Sequence, residues 1–269
     1  QGAIEGASLE ANKGAYSYAW MIIFAVIAAI MVLIGLYHIR MLPSNQIPST
    51  TKKTTSEVGR ELVAVIANFF TKKHIFYYIC FIILYRLAEG FIMKIAPLFL
   101  RASREVGGLG LSLKEIGTLN GVFGSAAFVL GSLLAGIYVS KFGLKRTLFT
   151  LCCIFNLPFV AYTFLAVTQP TNVYLIGTCI TMEYFGYGFG FVGLTLFMMQ
   201  QIAPGKHQMS HYAFASGIMN LGVMLPGMVS GYFSDLLGYR DFFIYVLIAT
   251  IPAFLITYFI PFTYDDSKK

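Results

Sequence analysis

Charge is the scarcest commodity in this chain. Only 12% of its residues are Asp, Glu, Lys or Arg, about half the share of an ordinary soluble domain. With 57% apolar residues and a mean hydropathy of +0.72, there is too little polar surface to clothe a soluble globule of this size. Lipid contact resolves that conflict, and the sequence is an all-α membrane protein by composition. Cysteine is sparse too. Cys80, Cys152, Cys153 and Cys179 sit inside apolar runs with no CxxC spacing, which excludes a zinc ribbon or disulfide framework and leaves them as small buried hydrophobes. No Asn-x-Ser/Thr sequon occurs, and neither HExxH nor GxSxG is present, so the chain offers no enzyme signature and no metal or cofactor site. His207 and His211 stand four apart without a third ligand, which reads as a solvated helix start. The net charge of +7 is a matter of topology, not of nucleic-acid binding.

What is present is apolar length. A helix needs about 20 residues to cross the hydrocarbon core, and segments 18–39, 75–100, 115–139, 147–167, 173–201, 212–233 and 241–262 qualify. Pro97, Pro158, Pro226 and Pro252 fall in or near these spans and suggest kinks, while Ser112 with Glu115 fits a capping box. The connections on one side of the bilayer carry twelve Lys or Arg and those on the other carry five. The positive-inside rule therefore places the C-terminus in the cytoplasm. The chain starts on Gln1 with a small polar stretch and an odd number of spans, which suggests a truncated start and a missing N-terminal half. Four regions follow: an outer stub and first span (1–39), a cytoplasmic linker (40–73), a six-helix domain (74–262) and a cytoplasmic tail (263–269). Within the linker, Leu62, Val63, Ile66, Phe69 and Phe70 share one side of a short helix, as in a helix lying on the inner leaflet.

The six-helix group repeats itself. Gly136-x3-Ser140-x2-Gly143-x-Lys145 recurs as Gly231-x3-Asp235-x2-Gly238-x-Arg240, 95 residues downstream. Three spans separate the copies, so they face opposite sides. Two inverted three-helix repeats are the build of the major facilitator superfamily. The first copy, Gly136, Ser140, Lys141, Gly143, Lys145 and Arg146, resembles that superfamily's gating loop, with Ser140 where an acid is usual. In the family this loop helps gate the conformational change; a basic loop serving only topology is the plainer alternative.

Further residues narrow the resemblance. Tyr85-Arg86-Leu87-Ala88-Glu89-Gly90-Phe91, Pro97-Leu98-Phe99-Leu100, Glu115-Ile116-Gly117, and Glu183 ahead of Gly186, Gly188 and Gly190 are similar to segments of the muropeptide permease family. Lys94 departs from the small polar residue of that pattern, and no Asn follows Glu183. The resemblance implies a seven-helix fragment of a major facilitator transporter in a bacterial inner membrane. Such a permease imports a sugar-containing solute with protons by alternating access; an exporter of amphiphilic compounds on the same fold is the alternative.

Charges inside the bilayer are the site candidates. Each costs about 2.5–3.5 kcal/mol on insertion scales, and Arg86, Glu89, Lys94 and Glu183 all fall within spans. Burial raises a carboxyl pKa and a nearby cation lowers it, so an acid that changes partner can load and release a proton. Glu89 and Glu183 are the proton-coupling candidates. Arg86 and Lys94, with Tyr85, Asn120 and Tyr184, are the solute-binding candidates. Tyr187 could also stack on a sugar, and Asn156 and Asn220 could contact solute or bond between helices. A structural tie of Arg86 to Glu89 or Glu183 is the competing reading. The charge asymmetry is directly testable: a cysteine replacing Ser49 should react with an impermeant maleimide only from the cytoplasmic side, and labelling from outside would overturn the topology.

Overall fold

A computed structural model describes residues 13–41 and 55–264, in two separate units divided at Thr54. Residues 1–12, most of the linker before Thr55, and the tail after Tyr264 lie outside the described residues. The first unit contributes helix α1, Lys13–Met41, apolar around its whole circumference from Tyr18 to Tyr37, as a lipid-embedded span requires.

The second unit is helical throughout, with no strand among the described residues. It opens with the amphipathic helix α2, Thr55–Phe70. Phe69 is buried against Phe214, with ring centroids 4.7 Å apart, while Leu62, Val63, Ile66 and Phe70 stay exposed. The Nε2 of His211 lies 3.2 Å from the Val65 carbonyl. His211 is thus buried in a helix contact, where its spacing had suggested a solvated helix start. Helices α3, Ile75–Tyr85, and α4, Leu87–Arg101, follow in one line. After a looped turn, Ser112 caps α5, Leu113–Thr118: its hydroxyl accepts from the Glu115 amide and its own amide donates to Glu115 Oε2 at 2.8 Å. A π-helical stretch, Leu119–Gly124, joins α5 to α6, Ser125–Phe142. Then come α7, Leu144–Asn156, α8, Phe159–Thr168, α9, Val173–Phe197, α10, Gln208–Ala249, and α11, Ile251–Phe259.

Among the described residues, five helical stretches are long and apolar enough to cross a membrane: Ser17–Met41, Ile75–Arg101, Leu113–Phe142, Leu144–Thr168 and Gln208–Phe259. The expected count was seven, and the difference has two sources. Helix α9 has the length, at 25 residues, but Glu183, three tyrosines and its glycines dilute its hydropathy. The last two expected spans form one helical run of 52 residues, broken at Gly238, whose φ of 73° and ψ of 164° no helix accommodates. Gly143, between α6 and α7, has nearly the same conformation, with φ 78° and ψ 148°. The motif glycines set 95 residues apart therefore turn the chain in the same way. Of the four prolines, Pro158 and Pro252 stand at helix breaks, whereas Pro97 and Pro226 lie inside continuous helices.

Packing is set by glycines that let backbones touch. The most extensive contacts pair α9 with α6 and α10 with α4. A Cβ on Gly188 would lie 2.1 Å from the Phe128 carbonyl oxygen, and one on Gly131 2.3 Å from that of Phe185. On α7, Gly186 meets Ile154 and Gly190 meets Phe155. A Cβ on Gly90 would lie 2.3 Å from the ring of Pro226. Phe185 and Pro226 are the positions 95 residues after Gly90 and Gly131, so the contacts Gly90–Pro226 and Gly131–Phe185 exchange under that shift. Gly227 lies against Gly90 and Lys94, while a Cβ on Gly231 would meet nothing within 4 Å.

Polar side chains tie the ends of the unit. Arg104 donates to the carbonyls of Gln169 and Pro170, both at 2.8 Å, and Gln169 Nε2 donates to the Gly107 carbonyl at 2.6 Å. At the other end, Lys72 Nζ donates to the carbonyls of Ile202 and Pro204. Burial lowers the pKa of its ammonium below that of an ordinary lysine. The buried Gln201 accepts from the amides of Thr263 and Tyr264, at 2.9 and 3.0 Å. Gly188→Ala should lower the unfolding free energy by about 1–3 kcal/mol through overpacking. Gly217→Ala, at a helical position open on all sides, should be neutral or stabilising by up to about 1 kcal/mol. Thermal unfolding in detergent compares the two, and equal melting points would overturn the close-packing argument.

Candidate functional site

The first span of the compact unit breaks at Arg86 without a proline. Its backbone leaves the helical region, with φ −103° and ψ 7°, and divides α3 from α4. The side chain explains why this position tolerates a break. Arg86 Nε donates to Glu89 Oε2 at 2.6 Å and Nη2 donates to Glu89 Oε1 at 2.5 Å, a bidentate pair. Both residues are buried, 4% and 5% exposed. The guanidinium carbon lies 5.4 Å from the centre of the Phe191 ring, and Nη2 is 3.5 Å from the Tyr187 hydroxyl. Two neighbouring charges thus cancel in a nonpolar surround, where either alone would be costly.

Beside this pair lies a cavity of about 180 Å³, lined by Glu89, Asn120, Tyr162, Glu183, Tyr184 and Tyr187, and on the α4 side by Met93 and Pro97 among others. Glu183 comes from α9, Asn120 from the π-helical stretch and Tyr162 from α8. Among the described residues Glu183 makes no hydrogen bond and no ion pair. The Oδ1 of Asn120 is buried and without a partner. The π-helical stretch is the local reason for its placement, since such an insertion redirects side chains within a helix and recurs at functional positions.

The structure brings together four of the seven mid-span candidates here: Glu89, Glu183, Asn120 and Tyr184. Arg86 adjoins them through Glu89. Tyr85 does not line the cavity. It is fully buried between α3 and α9, and its hydroxyl donates to the Gly190 carbonyl at 2.9 Å, so its polar tip is committed to helix packing. Lys94 is also outside the cavity, exposed on the α4–α10 face beside Gly227. Asn156 is enclosed as well, donating to the Cys152 carbonyl at 3.0 Å, and Asn220 is exposed on α10. The gating-loop candidates Gly136, Ser140, Lys141, Gly143 and Arg146 line a different cavity of about 550 Å³ with Gln200. There the Ser140 hydroxyl turns back to the Ile137 carbonyl at 2.9 Å. Lys145 follows in the first turn of α7.

Sequence reasoning missed Tyr162 and the pairing of Met93 with Pro97. Tyr162 reaches the site from α8 by tertiary packing alone, and nothing in its local sequence marks it. Pro97 was noted only as a possible kink. Its consequence, a carbonyl deprived of its helical amide, was available from the position four residues earlier.

No protein-family model matches the chain. Curated relatives do. The anhydromuropeptide permease of Escherichia coli K12 is 23% identical over 209 residues, which cover 78% of this chain and 41% of the relative. The putative transporter AmpG 1 of Rickettsia bellii is 25% identical over 238 residues, covering 87% and 56%. The putative transporter AmpG 2 of Rickettsia prowazekii is 27% identical over 204 residues, covering 74% and 47%. The chain therefore spans about two-fifths to just over half the length of these relatives, and it is similar to muropeptide permeases over most of its own. All three are named as a permease or transporter, none as an enzyme.

The pair's energetics can be measured. Glu89→Gln leaves a buried guanidinium without its counter-charge and should destabilise the protein by about 3–5 kcal/mol. Replacing both, Arg86→Met with Glu89→Leu, should recover most of that loss. Melting of Glu89→Gln at the wild-type temperature would show that Arg86 does not depend on Glu89.

Proposed function

We propose that this chain is the C-terminal part of a major facilitator permease, with seven crossings, that imports a sugar-containing solute such as a muropeptide together with protons. Several observations support the reading. The relatives are longer permeases and transporters, of which the matched segment covers only 41% and 56%, which fits a second half that completes the passage. The exchanged contacts Gly90–Pro226 and Gly131–Phe185, with the matching conformations of Gly143 and Gly238, fit two inverted three-helix repeats. In this reading the basic connections face the cytoplasm of a bacterial inner membrane, as does the C-terminus, and α9 is a crossing sheltered from lipid by its neighbours.

The observation that carries the mechanism is the unequal state of the two acids. Glu89 is neutralised by Arg86 at hydrogen-bonding distance, whereas Glu183 borders a cavity without a compensating cation among the described residues. An uncompensated carboxylate is costly in a low-dielectric interior, and a proton removes that cost. Glu183 therefore carries the coupling proton: it loads when the cavity opens to the acidic side and releases when the opposite opening hydrates it. Glu89 balances Arg86, and Tyr187, on α9 one turn beyond Glu183, keeps contact with the pair in the closed cavity.

Solute recognition falls to a different cation. Arg86 is sealed by Glu89, so it is not free to bind an anion. Lys94 is exposed within a span, and facing lipid there would cost about 2.5–3.5 kcal/mol. It faces the aqueous passage and attracts a solute carboxylate, while Tyr184 offers a ring face at the cavity wall. Gly136–Arg146, remote from this cavity, serves the conformational cycle through the turn at Gly143.

Reconstitution tests the assignment. In proteoliposomes of the intact protein, Glu183→Gln should abolish proton-driven accumulation of a labelled anhydromuropeptide yet preserve solute counterflow, because exchange does not require proton release. Full proton-driven accumulation by Glu183→Gln would exclude it as the coupling group.

A further inference from the structure

The cavity beside Glu183 is richer in oxygen donors than proton loading alone requires. A carboxyl needs no other ligand to take up a proton. Yet the same wall holds the buried, unpartnered Oδ1 of Asn120. It also holds Met93 and Pro97. Pro97 has no amide hydrogen, so the Met93 carbonyl lacks the bond that position 97 would supply in an unbroken helix. Carbonyls freed in this way within a membrane helix are suited to replace the hydration shell of an ion.

Charge then selects the occupant. Arg86 and Glu89 cancel each other, which leaves the single negative charge of Glu183 as the net charge of the cavity wall. A monovalent cation neutralises it; a divalent one would leave an excess positive charge beside the Arg86 guanidinium. No group of three His, Cys, Asp or Glu that could hold a transition metal occurs among the described residues. The wall offers carboxylate and amide oxygens, from Glu183 and Asn120, which suit a hard ion. A space of about 180 Å³ leaves room for water to complete the coordination.

We propose that this cavity is a Na+ site, in which the Glu183 carboxylate, Asn120 Oδ1 and the Met93 carbonyl coordinate one ion in competition with the proton. The site rests on the assignment of Glu183 as the uncompensated carboxyl of the transport path. It adds that the same carboxyl accepts either cation and that the side chain of Asn120 belongs to the ion site, not to the solute.

Binding of 22Na+ to the intact protein in lipid nanodiscs tests this directly. Saturable binding to one site is expected, weakened about tenfold for each pH unit once Glu183 is protonated, because the ligand must be deprotonated to bind metal. Choline and K+ should not displace the label at equal concentration. Glu183→Gln should abolish binding, and Asn120→Ala should weaken it at least several-fold. Pro97→Ala is the variant least liable to unfold, since it restores an amide to the helix, and it should weaken binding by occupying the Met93 carbonyl. No saturable binding by the monodisperse wild-type protein, equal displacement by K+, or unchanged binding in Pro97→Ala and Asn120→Ala would each overturn the site. Anhydromuropeptide uptake is measured in parallel in Na+-free and Na+-containing buffer. Proton-driven uptake without Na+ binding sinks the Na+ site and leaves the transporter reading intact; Na+ binding without uptake in either buffer does the reverse.

Discussion

A charge inside a membrane bundle must find its counter-charge nearby, and the arrangement around Arg86 follows from that constraint. Water cannot solvate the guanidinium at this depth, so Glu89 meets it through two hydrogen bonds. The helix breaks at Arg86, and the segment after it resumes with Glu89 in its first turn. Once Glu89 is engaged in this way, the second acid of the neighbourhood is left without a cation. The asymmetry between Glu89 and Glu183 is thus a consequence of pairing, not of any difference in side-chain chemistry.

Steric complementarity supplies what charge does not. Lipid tails are as apolar as the helices, so there is little hydrophobic gain in helix association within a bilayer, and close van der Waals contact takes its place. Gly186, Gly188 and Gly190 allow α9 to lie directly on the backbones of α6 and α7. That closeness carries Glu183 toward Glu89 and Tyr187 toward Arg86. The same glycines dilute the hydropathy of α9, which is consistent with a helix that presents more of itself to protein than to lipid. Polar ties at the two ends, Arg104 to the 169–170 turn and Gln201 to residues 263–264, hold the second unit together where loops leave carbonyls and amides to be satisfied.

Much of this was legible before any coordinates. Apolar segments of about 20 residues mark membrane helices because the bilayer fixes their length. The spacing of Gly136–Lys145 and Gly231–Arg240 announced two equivalent turns, and Gly143 and Gly238 adopt matching backbone conformations. Arg86 and Glu89 were candidates for pairing from their spacing of three. The reading of Tyr85 as a solute contact did not anticipate that its hydroxyl is bonded to Gly190. A tyrosine in an apolar run carries no mark of whether its tip meets solute or a neighbouring carbonyl.

The sequence by itself determined the class of the protein, the places where helices run, and the short list of charged side chains that a membrane interior must accommodate. Those properties depend on residue type and on distance along one chain. Which acid Arg86 holds, which face Lys94 occupies, and that Tyr162, Asn120 and Glu183 border one cavity were decided only by tertiary structure. These are contacts between helices far apart in sequence, fixed by how closely glycine backbones approach, and no local pattern encodes that distance.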